Sequence, residues 1–588
     1  MPHGLQIVSS NRLEALAERL AAAVAAPRSG DPLAPEWIVV QSRGMARWVQ
    51  LELARRAGIC ALTTFSFPRD FLWTIGRIAA PEAVQDPRFE RDALTWRIWD
   101  GLERMRDDPA FAETSRYAGS DPGRRFEIAS RIATAFDQYL VYRPDLIAAW
   151  EEGQDSDWQA VLWRAVSGGG HPWHEAHRLR ATTECLRTAA PQGLPERTSW
   201  FAIAALPPAY LDVLSALALH SEVTLYTLQP SDQYWGDLLP RRAAARLEPE
   251  SISAPEGPRL LVSLGRLGRS FQRQLAEHGA GGGGDPFEDP GDGSLLRAVQ
   301  SDLLHLRRPQ PEDTLGAPSP ADPSLRIHSC HSPRRELEVL HDQILDALDH
   351  DPTLGPGDIL VLTPDIEAYA PQIHAVFGAP EDERLRLPYT VADRVPRAES
   401  RIADAFLRLL RLPEGRCGRS DIEPLLESPA IQRRFGWTPA AVSQLQERIE
   451  SLGIRWGLDA AHRARLGLPA FPQGTWRHGS DRLLLGMAMA EGDEALLHGI
   501  SPAPGVEGDA VEAAAGLASF LGAVQRLMPW HHQEHRLSEW TRFLEQALAD
   551  FLEPGPDEQD EAQWLRDGIA RLGNISRDAA ADPRVPLA

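Results

Sequence analysis

Between Trp37 and Trp73, hydrophobic and polar positions predict a strand, a turn and a helix. Trp37–Val40 is a run of four apolar, mostly β-branched residues, which is typical of a short buried strand. The next residues, Gln41–Gly44, form a polar turn, and apolar residues then recur at roughly helical spacing through Ala57. A P-loop uses the same strand–turn–helix order to bind a nucleotide, but this turn contains one glycine and lacks the Walker lysine.

The side chains of this turn and of the residues after it suit nucleic acid. Arginine and glutamine can meet a base edge with two hydrogen bonds, and aromatic rings stack on unpaired bases. The candidate groups are Gln41, Arg43, Arg47, Phe67 and Trp73. The alternative is a first strand–helix unit with solvated arginines, in which Phe65 and Phe71 belong to the core. The turn by itself leaves both interpretations open.

Alternating helix and strand patterns continue to about residue 320 and predict a parallel α/β sheet. Helices are predicted at Arg91–Met105, Phe126–Tyr142 and Pro208–Leu219, and strands at Ser199–Ala204 and Glu222–Leu228. A helix between two strands forms a βαβ unit, whose strands are parallel. Residues 151–195 predict a helical insertion. Asp137, Gln138 and Arg143 flank an apolar helical stripe, and that pattern alone indicates a solvated face.

Two stretches rich in Gly and Pro, Gly279–Asp292 and Arg307–Ser324, interrupt the pattern, and the second predicts the major domain boundary. Beyond it, a strand, a helix and a strand are predicted at Leu325–Cys330, Pro333–Leu348 and Asp358–Thr363. This order predicts the start of a second α/β domain. From about residue 400 the pattern becomes helical, and the turn-rich end at 582–588 predicts no closing strand.

Composition narrows the possible functions. With 588 residues the chain is too long for one core. Its net charge of −22 argues against a general nucleic-acid coat, so DNA binding would need a local, arginine-lined channel. The sequence contains no lysine, which excludes a Walker lysine and Schiff-base chemistry. Four separated cysteines predict a reducing, cytoplasmic setting, and no apolar run is long enough for a membrane span.

Two groups of histidines are candidate metal ligands. His171, His174 and His177 are spaced three apart, and His531, Glu534 and His535 spell the order HxxEH. The first group lacks the HExxH order of a zinc protease, and no third ligand can be picked out for the second group. Surface or helix-end histidines are therefore the favoured interpretation, with zinc as the alternative. No catalytic constellation can be picked out from the sequence.

Seven sequence blocks, in the same order, resemble the gamma chain of exodeoxyribonuclease V, the RecC family. The opening from Trp37 to Trp73 is one of them. The others are FDQYLVYRPD (136–145), ALPPAYL (205–211), YWGD (234–237), HSPRRELEVLHDQIL (331–345), GIRWG (453–457) and TWRHG (475–479). These blocks span most of the chain, and the resemblance is to the N-terminal half to two-thirds of RecC chains.

The RecC resemblance implies an α/β fold with two parallel-sheet domains similar to superfamily 1 helicases but without ATPase motifs. It implies an inactive helicase-like domain at 1–320, the start of a second at 324–410, and a helical insertion at 411–588. RecC chains continue through the rest of that second domain and a nuclease-like domain. On this resemblance the sequence is expected to be a fragment or a truncated gene product.

The resemblance also implies a function. RecC-type chains are non-catalytic DNA-binding subunits that partner a RecB helicase–nuclease and a RecD helicase in double-strand break repair. They channel single strands of forked DNA and scan the 3′-ended strand for Chi. No cofactor is expected in this chain, since ATP and Mg²⁺ would be held by the partner subunits. The implied DNA-binding residues are Gln41, Arg43, Arg47, Phe67, Trp73, Asp137 and Arg143.

Several positions depart from the RecC pattern. Arg43 and Arg47 replace smaller or amide side chains, and Phe67 replaces an aliphatic one. Thr134, Ala135 and Glu175 stand where acidic, aliphatic and basic groups, respectively, are expected. These departures imply either that a different sequence is read or that Chi recognition is absent.

Two alternatives belong to other functional classes. An active helicase or nuclease is opposed by the missing lysine. A protein-only scaffold that joins RecB-like and RecD-like subunits without touching DNA is supported by the acidic net charge.

Overall fold

The computed structural model describes residues 4–26, 31, 33–168, 173–238, 257–278, 281–282, 285–308, 322–378, 382, 385–392, 400–489, 496–531, 533–578 and 582–587. The chain divides into two compact units, residues 1–112 with 129–327 and residues 113–128 with 328–588. The domain identities implied by the RecC resemblance stay predictions. In the part of the chain that is described, no helix combines the length and the apolar character needed to cross a membrane.

The first unit is built on a parallel sheet, as the βαβ pattern predicts. Its strands are β1 (Gln6–Ser10), β2 (Glu36–Val39), β3 (Thr63–Ser66), β4 (Arg197–Phe201), β5 (Glu222–Leu228) and the two-residue β6 (Gly281–Gly282). They lie in the order β3-β2-β4-β5-β1-β6, and every neighbouring pair is parallel. Strands β1 and β2 follow each other in the chain but are separated in the sheet by β4 and β5. The predicted α/β fold class is confirmed.

Helices connect the strands of the first unit. From the N-terminus they are α1 (Leu13–Ala25), α2 (Arg43–Ala57), α3 (Pro68–Ala79), α4 (Arg91–Arg104), α5 (Ala112–Ala118), α6 (Pro122–Tyr142), α7 (Pro144–Glu151), α8 (Trp158–Ser167), α9 (Glu175–Thr188), α10 (Pro208–Leu217), α11 (Arg259–Leu264), α12 (Arg266–Glu277) and α13 (Leu295–Leu304). Residues 113–128, which include most of α5 and the start of α6, cluster with the second unit. The helices predicted at 91–105, 126–142 and 208–219 are confirmed, with ends that differ by up to four residues.

Both faces of the sheet are buried. Successive side chains of a strand point to opposite faces, so neighbouring residues show the burial of each face. Val39 and Trp200 join one apolar cluster. Ile38 and Phe201, their neighbours in the chain, join the other. This two-sided burial is typical of parallel sheets covered by helices and accounts for the continuous apolar run of β2.

Strand β4 lies two to three residues earlier than the predicted Ser199–Ala204. It starts at Arg197, whose guanidinium pairs with Glu36 through Nε–Oε1 and Nη2–Oε2 distances of 2.8 and 2.9 Å. It ends at Phe201 because Ala202 has a φ of 53°, in the left-handed region that strands do not use. Thr198 and Ser199 are polar but buried, so the search for an apolar run placed the strand too late.

Part of the Gly-rich stretch at 279–292 is held against the first strand, although the sequence predicts a linker there. Gly281 and Gly282 pair with β1. The Asp285 carboxylate accepts a hydrogen bond of 2.9 Å from the Ser9 amide, and the Pro286 carbonyl accepts one of 2.7 Å from the Ser10 hydroxyl. The glycines at 279, 280, 283 and 284 lie outside the described residues.

The second unit is mainly helical. Its helices are α14 (Pro333–His350), α15 (Ile366–Phe377), α16 (Arg401–Arg411), α17 (Arg419–Leu426), α18 (Pro429–Phe435), α19 (Pro439–Ser451), α20 (Ala460–Arg465), α21 (Trp476–Ala488), α22 (Asp509–His531), α23 (Leu537–Phe551) and α24 (Gln559–Asp578). The helical character predicted from residue 400 is thereby confirmed. The predicted lack of a closing strand is wrong, because β8 (Arg584–Val585) pairs antiparallel with β7 (His535–Arg536).

The two strands predicted at the start of the second domain, Leu325–Cys330 and Asp358–Thr363, do not form in this structure. Both segments are described, and both lack the hydrogen-bond ladder of a strand. The helix predicted between them is present as α14. A segment becomes a strand only by pairing with another segment, and neither finds such a partner among the described residues.

Candidate nucleic-acid interface

The turn after β2 presents its polar side chains to solvent because Ser42 caps the following helix. Ser42 has extended backbone angles, and its hydroxyl accepts a hydrogen bond of 3.1 Å from the Met45 amide. Helix α2 therefore begins at Arg43. Gln41, Arg43 and Arg47 are all exposed, and the two arginines, four residues apart, share one face of the helix.

Phe67 lies at the same edge of the sheet. It directly follows β3, which pairs with β2 in a register that sets Val39 opposite Ser66. Because parallel strands end at a common edge, the residues after β2 and β3 are neighbours there. Phe67 is 37% exposed and precedes Pro68, the first residue of α3. Gln41 and Phe67, separate in the sequence, are thus brought to one edge.

Trp73 on α3 is exposed although the apolar residues around it are buried. Phe71 and Ile75 lie in the apolar cluster that also contains Val39 and Trp200, whereas Trp73 is 41% exposed. Its ring is flanked by the guanidinium of Arg77 at 5.3 Å and that of Arg178 at 5.6 Å. The interpretation of Phe71 as a core residue is confirmed. Trp73 is instead an open aromatic surface supported by two cations.

Asp137 is held by a network that sequence reasoning missed. Arg69 on α3 reaches Asp137 on α6 at 3.2 Å and Glu175 on α9 at 4.0 Å. Glu175 also pairs with Arg178 at 3.1 Å. Burial raises the pKa of the Glu175 carboxyl and lowers that of Arg178. The network ties three helices together and places the Arg178 guanidinium beside the Trp73 ring.

Arg143 is not joined to the other candidates by any hydrogen bond found among the described residues. It is exposed, lies just before α7, and bonds Asp145 through Nε and Nη2 at 3.3 and 3.2 Å. The hydrogen bond from Arg143 and its positive charge lower the pKa of Asp145. Arg143 is therefore exposed and has further N–H donors on Nη1, which the two bonds to Asp145 do not use.

His174 and His177 form a compact cluster with Glu151. The Glu151 carboxylate lies 2.8 Å from His174 Nε2 and 3.2 Å from His177 Nε2, and the ligand atoms of all three residues lie within 4.8 Å of one another. Burial by itself raises the pKa of Glu151, but hydrogen bonds from both histidines outweigh it and lower this pKa to about 2. Burial lowers the pKa of His174.

The bonding of His174 favours a structural role over a metal site. His174 caps α9, and its Nδ1 accepts a hydrogen bond of 3.4 Å from the His177 amide. The ring proton is therefore on Nε2, which faces Glu151. A histidine that binds a metal through Nε2 nearly always donates a hydrogen bond from Nδ1. In His174, Nδ1 accepts a hydrogen bond instead. The expectation of a surface or helix-end histidine is confirmed for His174, which lies at a helix end with its side chain buried.

The HxxEH group does not share one helix face. His531 is the last residue of α22, whereas His535 lies in β7. The His535 ring packs against Trp530 with centroids 4.2 Å apart and against Trp540 at 5.2 Å. The interpretation as a helix-end histidine is confirmed for His531, whereas His535 lies in a strand and is half-buried. His171 lies outside the described residues.

Comparisons with known proteins agree on one family. Residues 5–306 match the family model "RecC, N-terminal domain", and residues 399–588 match "RecBCD enzyme subunit RecC fourth domain". The chain is 34% identical to RecBCD enzyme subunit RecC of Escherichia coli strain K12, over 95% of this chain and 55% of that protein. It is 32% identical to the Mycobacterium tuberculosis H37Rv protein of the same name, over 99% of this chain and 55% of the relative. The chain belongs to the RecC family. It spans about half the length of the curated relatives it matches.

The structure clarifies one departure from the RecC pattern. Glu175 stands where the resemblance implies a basic group, but Arg178, on the next turn of α9, supplies a guanidinium beside Trp73. Thr134 is exposed and donates its hydroxyl to the Ser130 carbonyl, and Ala135 is half-buried. The spacing of Glu175 and Arg178 is that of a helical ion pair and was a usable sequence signal. No sequence signal indicated the contact between Arg69 and Asp137, which lie 68 residues apart.

Proposed function

We propose that this chain is a non-catalytic, DNA-binding part of a RecBCD-type helicase–nuclease that acts in double-strand break repair. Its partners would be RecB-like helicase–nuclease and RecD-like helicase subunits, in the cytoplasm, with single-stranded and forked DNA as substrate. Its relatives are named RecBCD enzyme subunit RecC, which supports the assembly. Its role would be to guide unwound strands and to scan the 3′-ended strand for Chi.

One observation carries this proposal: Gln41, Arg43 and Phe67 are exposed at the carboxyl edge of a parallel sheet, and Arg47 and Trp73 are exposed on the two helices that start there. Ligands of open α/β sheets bind at that edge. Phe67 and Trp73 offer rings for base stacking, while Gln41, Arg43 and Arg47 offer hydrogen-bond donors. This combination suits a single strand, because its bases are unpaired and accessible.

The arginines of α2 have different proposed roles. Arg43 begins the helix beside Gln41, so we assign it to base reading, where a planar fork of donors discriminates between base edges. Arg47 lies one turn further along the same face, and we assign it to a phosphate. Loss of Arg43 would then change the sequence response, whereas loss of Arg47 would weaken binding to every sequence and lower its salt dependence.

A non-catalytic role is supported by the absence of lysine from the whole sequence. A Walker motif places a lysine on the β- and γ-phosphates of the nucleotide. At the corresponding turn this chain carries Gln41, Ser42 and Arg43. ATP and Mg²⁺ are accordingly assigned to the partner subunits, and this chain is assigned no cofactor of its own.

The second candidate function is a protein-only scaffold for the RecB-like and RecD-like subunits. Two observations favour it: the net charge of −22, and the pairing of Asp137 and Arg143 with protein groups rather than with solvent alone. The scaffold needs no exposed Trp73 or Arg43. Variants at the sheet edge therefore separate the two functions.

The deciding experiment is strand binding by this chain assembled with RecB-like and RecD-like subunits. Arg43→Ala/Arg47→Ala is compared with Arg334→Ala/Arg335→Ala, an exposed arginine pair on α14 of the second unit. DNA binding at the sheet edge predicts weaker strand binding and an altered Chi response for the first pair alone, with assembly intact. Equal strand binding by both double variants would support the scaffold instead.

A further inference from the structure

The loop between α20 and α21, residues 466–474, exposes three large apolar side chains. Phe471 is 65% exposed, Leu466 40% and Leu468 39%. One exposed leucine is ordinary on a protein surface. Three large apolar side chains within six residues mark a candidate interaction site instead.

Arg463, near the end of α20, holds this loop from inside. Arg463 is buried, and its guanidinium lies over the Trp456 ring, 4.3 Å from the ring centroid. Its Nη1 donates hydrogen bonds of 2.8 and 2.9 Å to the carbonyls of Phe471 and Gln473, and its Nη2 donates one of 2.9 Å to the Trp456 carbonyl. The backbone at Phe471 is therefore fixed while the ring stays in solvent.

Two of the sequence blocks, GIRWG and TWRHG, fix the C-terminal end of the loop. The Arg455 amide donates a hydrogen bond of 3.0 Å to the Gly474 carbonyl, and the Trp476 amide donates one of 3.0 Å to the Gly457 carbonyl. Gly474 turns the chain between the two blocks with a φ of 73°, in the left-handed region that favours glycine. A loop that is ordered before binding loses little conformational freedom on binding, so this loop is suited to recognition.

The surface around the loop is positively charged, although the whole chain has a net charge of −22. Residues 460–480 contain no Asp or Glu. Arg416, Arg455 and Arg465 are exposed, and none of them forms an ion pair with another residue in the part of the chain that the structure describes. The Arg416 carbonyl accepts a hydrogen bond of 2.8 Å from the Gly457 amide, which places its segment beside GIRWG. This charge complements a surface that carries carboxylates.

The side chains of the loop favour a protein over a nucleic acid as the occupant. Leu466 and Leu468 are aliphatic and have no ring to stack on a base. The Trp456 ring does have a stacking face, but Arg463 already lies against it. An aromatic anchor with apolar neighbours and surrounding arginines is typical of a protein–protein contact.

We propose that the loop 466–474 docks into an apolar pocket, bordered by carboxylates, on a partner subunit. Phe471 is the anchor that enters the pocket, Leu466 and Leu468 pack around its mouth, and Arg455 and Arg465 face the carboxylates. The inference rests on the proposed function for the existence of partner subunits. It is independent of the DNA contacts assigned to the first unit.

The test measures the affinity of the fluorescently labelled chain for the RecB-like and RecD-like subunits, each titrated separately and then together. We expect Phe471→Ala to weaken binding about 30-fold, as the loss of a buried aromatic anchor does. The melting temperature of the isolated chain should not change, because the ring is already in solvent. Trp564→Ala is the matched control, since it removes another exposed aromatic ring of the same unit and should bind as the native chain does.

The charged border is tested with Arg455→Ala/Arg465→Ala. This variant should bind more weakly than the native chain at low salt, and its affinity should depend less on salt, because exposed charges attract less as salt screens them. Arg334→Ala/Arg335→Ala should keep the native affinity and the native salt dependence. A salt dependence that is the same in the loop variant and the native chain would contradict the carboxylate border.

The outcomes separate this inference from the proposed function. Native affinity in Phe471→Ala would overturn the docking and leave the proposed function standing, whereas a native chain that binds neither subunit would refute both. Loss of strand binding in Phe471→Ala with assembly intact would assign the loop to DNA. Self-association of the native chain that Phe471→Ala removes would assign the loop to a second copy. Either result would overturn the proposal.

Discussion

Replacing Trp73 by alanine tests the proposed interface at its most exposed aromatic ring. The ring is held between Arg77 at 5.3 Å and Arg178 at 5.6 Å and still exposes 41% of its surface. It therefore stays in place without DNA and offers a surface to about one base, for which stacking is worth about 1–3 kcal/mol. We expect Trp73→Ala to weaken single-strand binding about 5- to 150-fold at fixed salt.

The salt dependence separates stacking from charge. Each phosphate contact to a single strand contributes about 0.7 to the slope of log K against log salt. Trp73 carries no charge, so Trp73→Ala should lower affinity at every salt concentration and keep the slope of the native chain. Fluorescence anisotropy with a labelled oligothymidylate over a salt series, using the assembled complex, measures both quantities.

Trp564 provides the matched control. It lies on α24 of the second unit and is 43% exposed, close to the value for Trp73. Trp564→Ala should bind the oligonucleotide as the native chain does. Equal weakening in both variants would show a nonspecific effect, and unchanged affinity in Trp73→Ala would refute the stacking role.

Three other predictions address chemistry and stability. The purified chain should not hydrolyse ATP, because no lysine is present for the phosphates; turnover that survives removal of contaminating helicases would contradict this. Arg197→Met should destabilise the first unit by about 3–5 kcal/mol in urea denaturation, since it leaves Glu36 buried and unpaired, whereas Glu36→Leu/Arg197→Met should recover much of the loss. Acid should destabilise the same unit, because the pKa of His174 is lowered by burial and that of Glu151 is lowered to about 2 by its histidine partners. Each group stabilises the folded unit fully at pH values above the pKa that the group has in the unfolded chain. The contribution of His174 to stability is lost as pH falls below about 6.5, and that of Glu151 is lost as pH falls from about 4.5 towards 2. A melting temperature that does not change between pH 7 and pH 3, or a Glu151→Gln variant with the same acid response, would exclude this cluster as the cause.

Local pattern was enough to predict most of the first unit. The apolar run before Gln41 and the helical spacing after it gave the strand and the helix that present Arg43 and Arg47, because both signals lie within one short segment. The same holds for β5, found at the predicted residues. The start of β4 was misplaced because its polar residues are buried by pairing with β2 and β5, which no local pattern records.

Long-range contacts explain the other differences. Asp137 was predicted as a DNA contact, yet its carboxylate is held by Arg69, a residue that adjacent sequence does not link to it. The His174 side chain is buried because Glu151, 23 residues earlier, supplies its partner. The segment 358–363 has the composition of a strand, but no strand pairs with it in the part of the chain that the structure describes. For Asp137 and His174 the decisive group lies far away in the sequence.

The central claim is that the 3′-ended strand passes across the carboxyl edge of the first sheet. Its most direct test is photocrosslinking in the assembled, unwinding complex with benzoylphenylalanine in place of Phe67, which is 37% exposed, or in place of Phe471 of the second unit, which is 65% exposed. The account predicts ATP-dependent crosslinks from position 67 to the 3′-ended strand, well above those from position 471. Equal yields at both positions, or crosslinks at position 67 only to the 5′-ended strand, would contradict it.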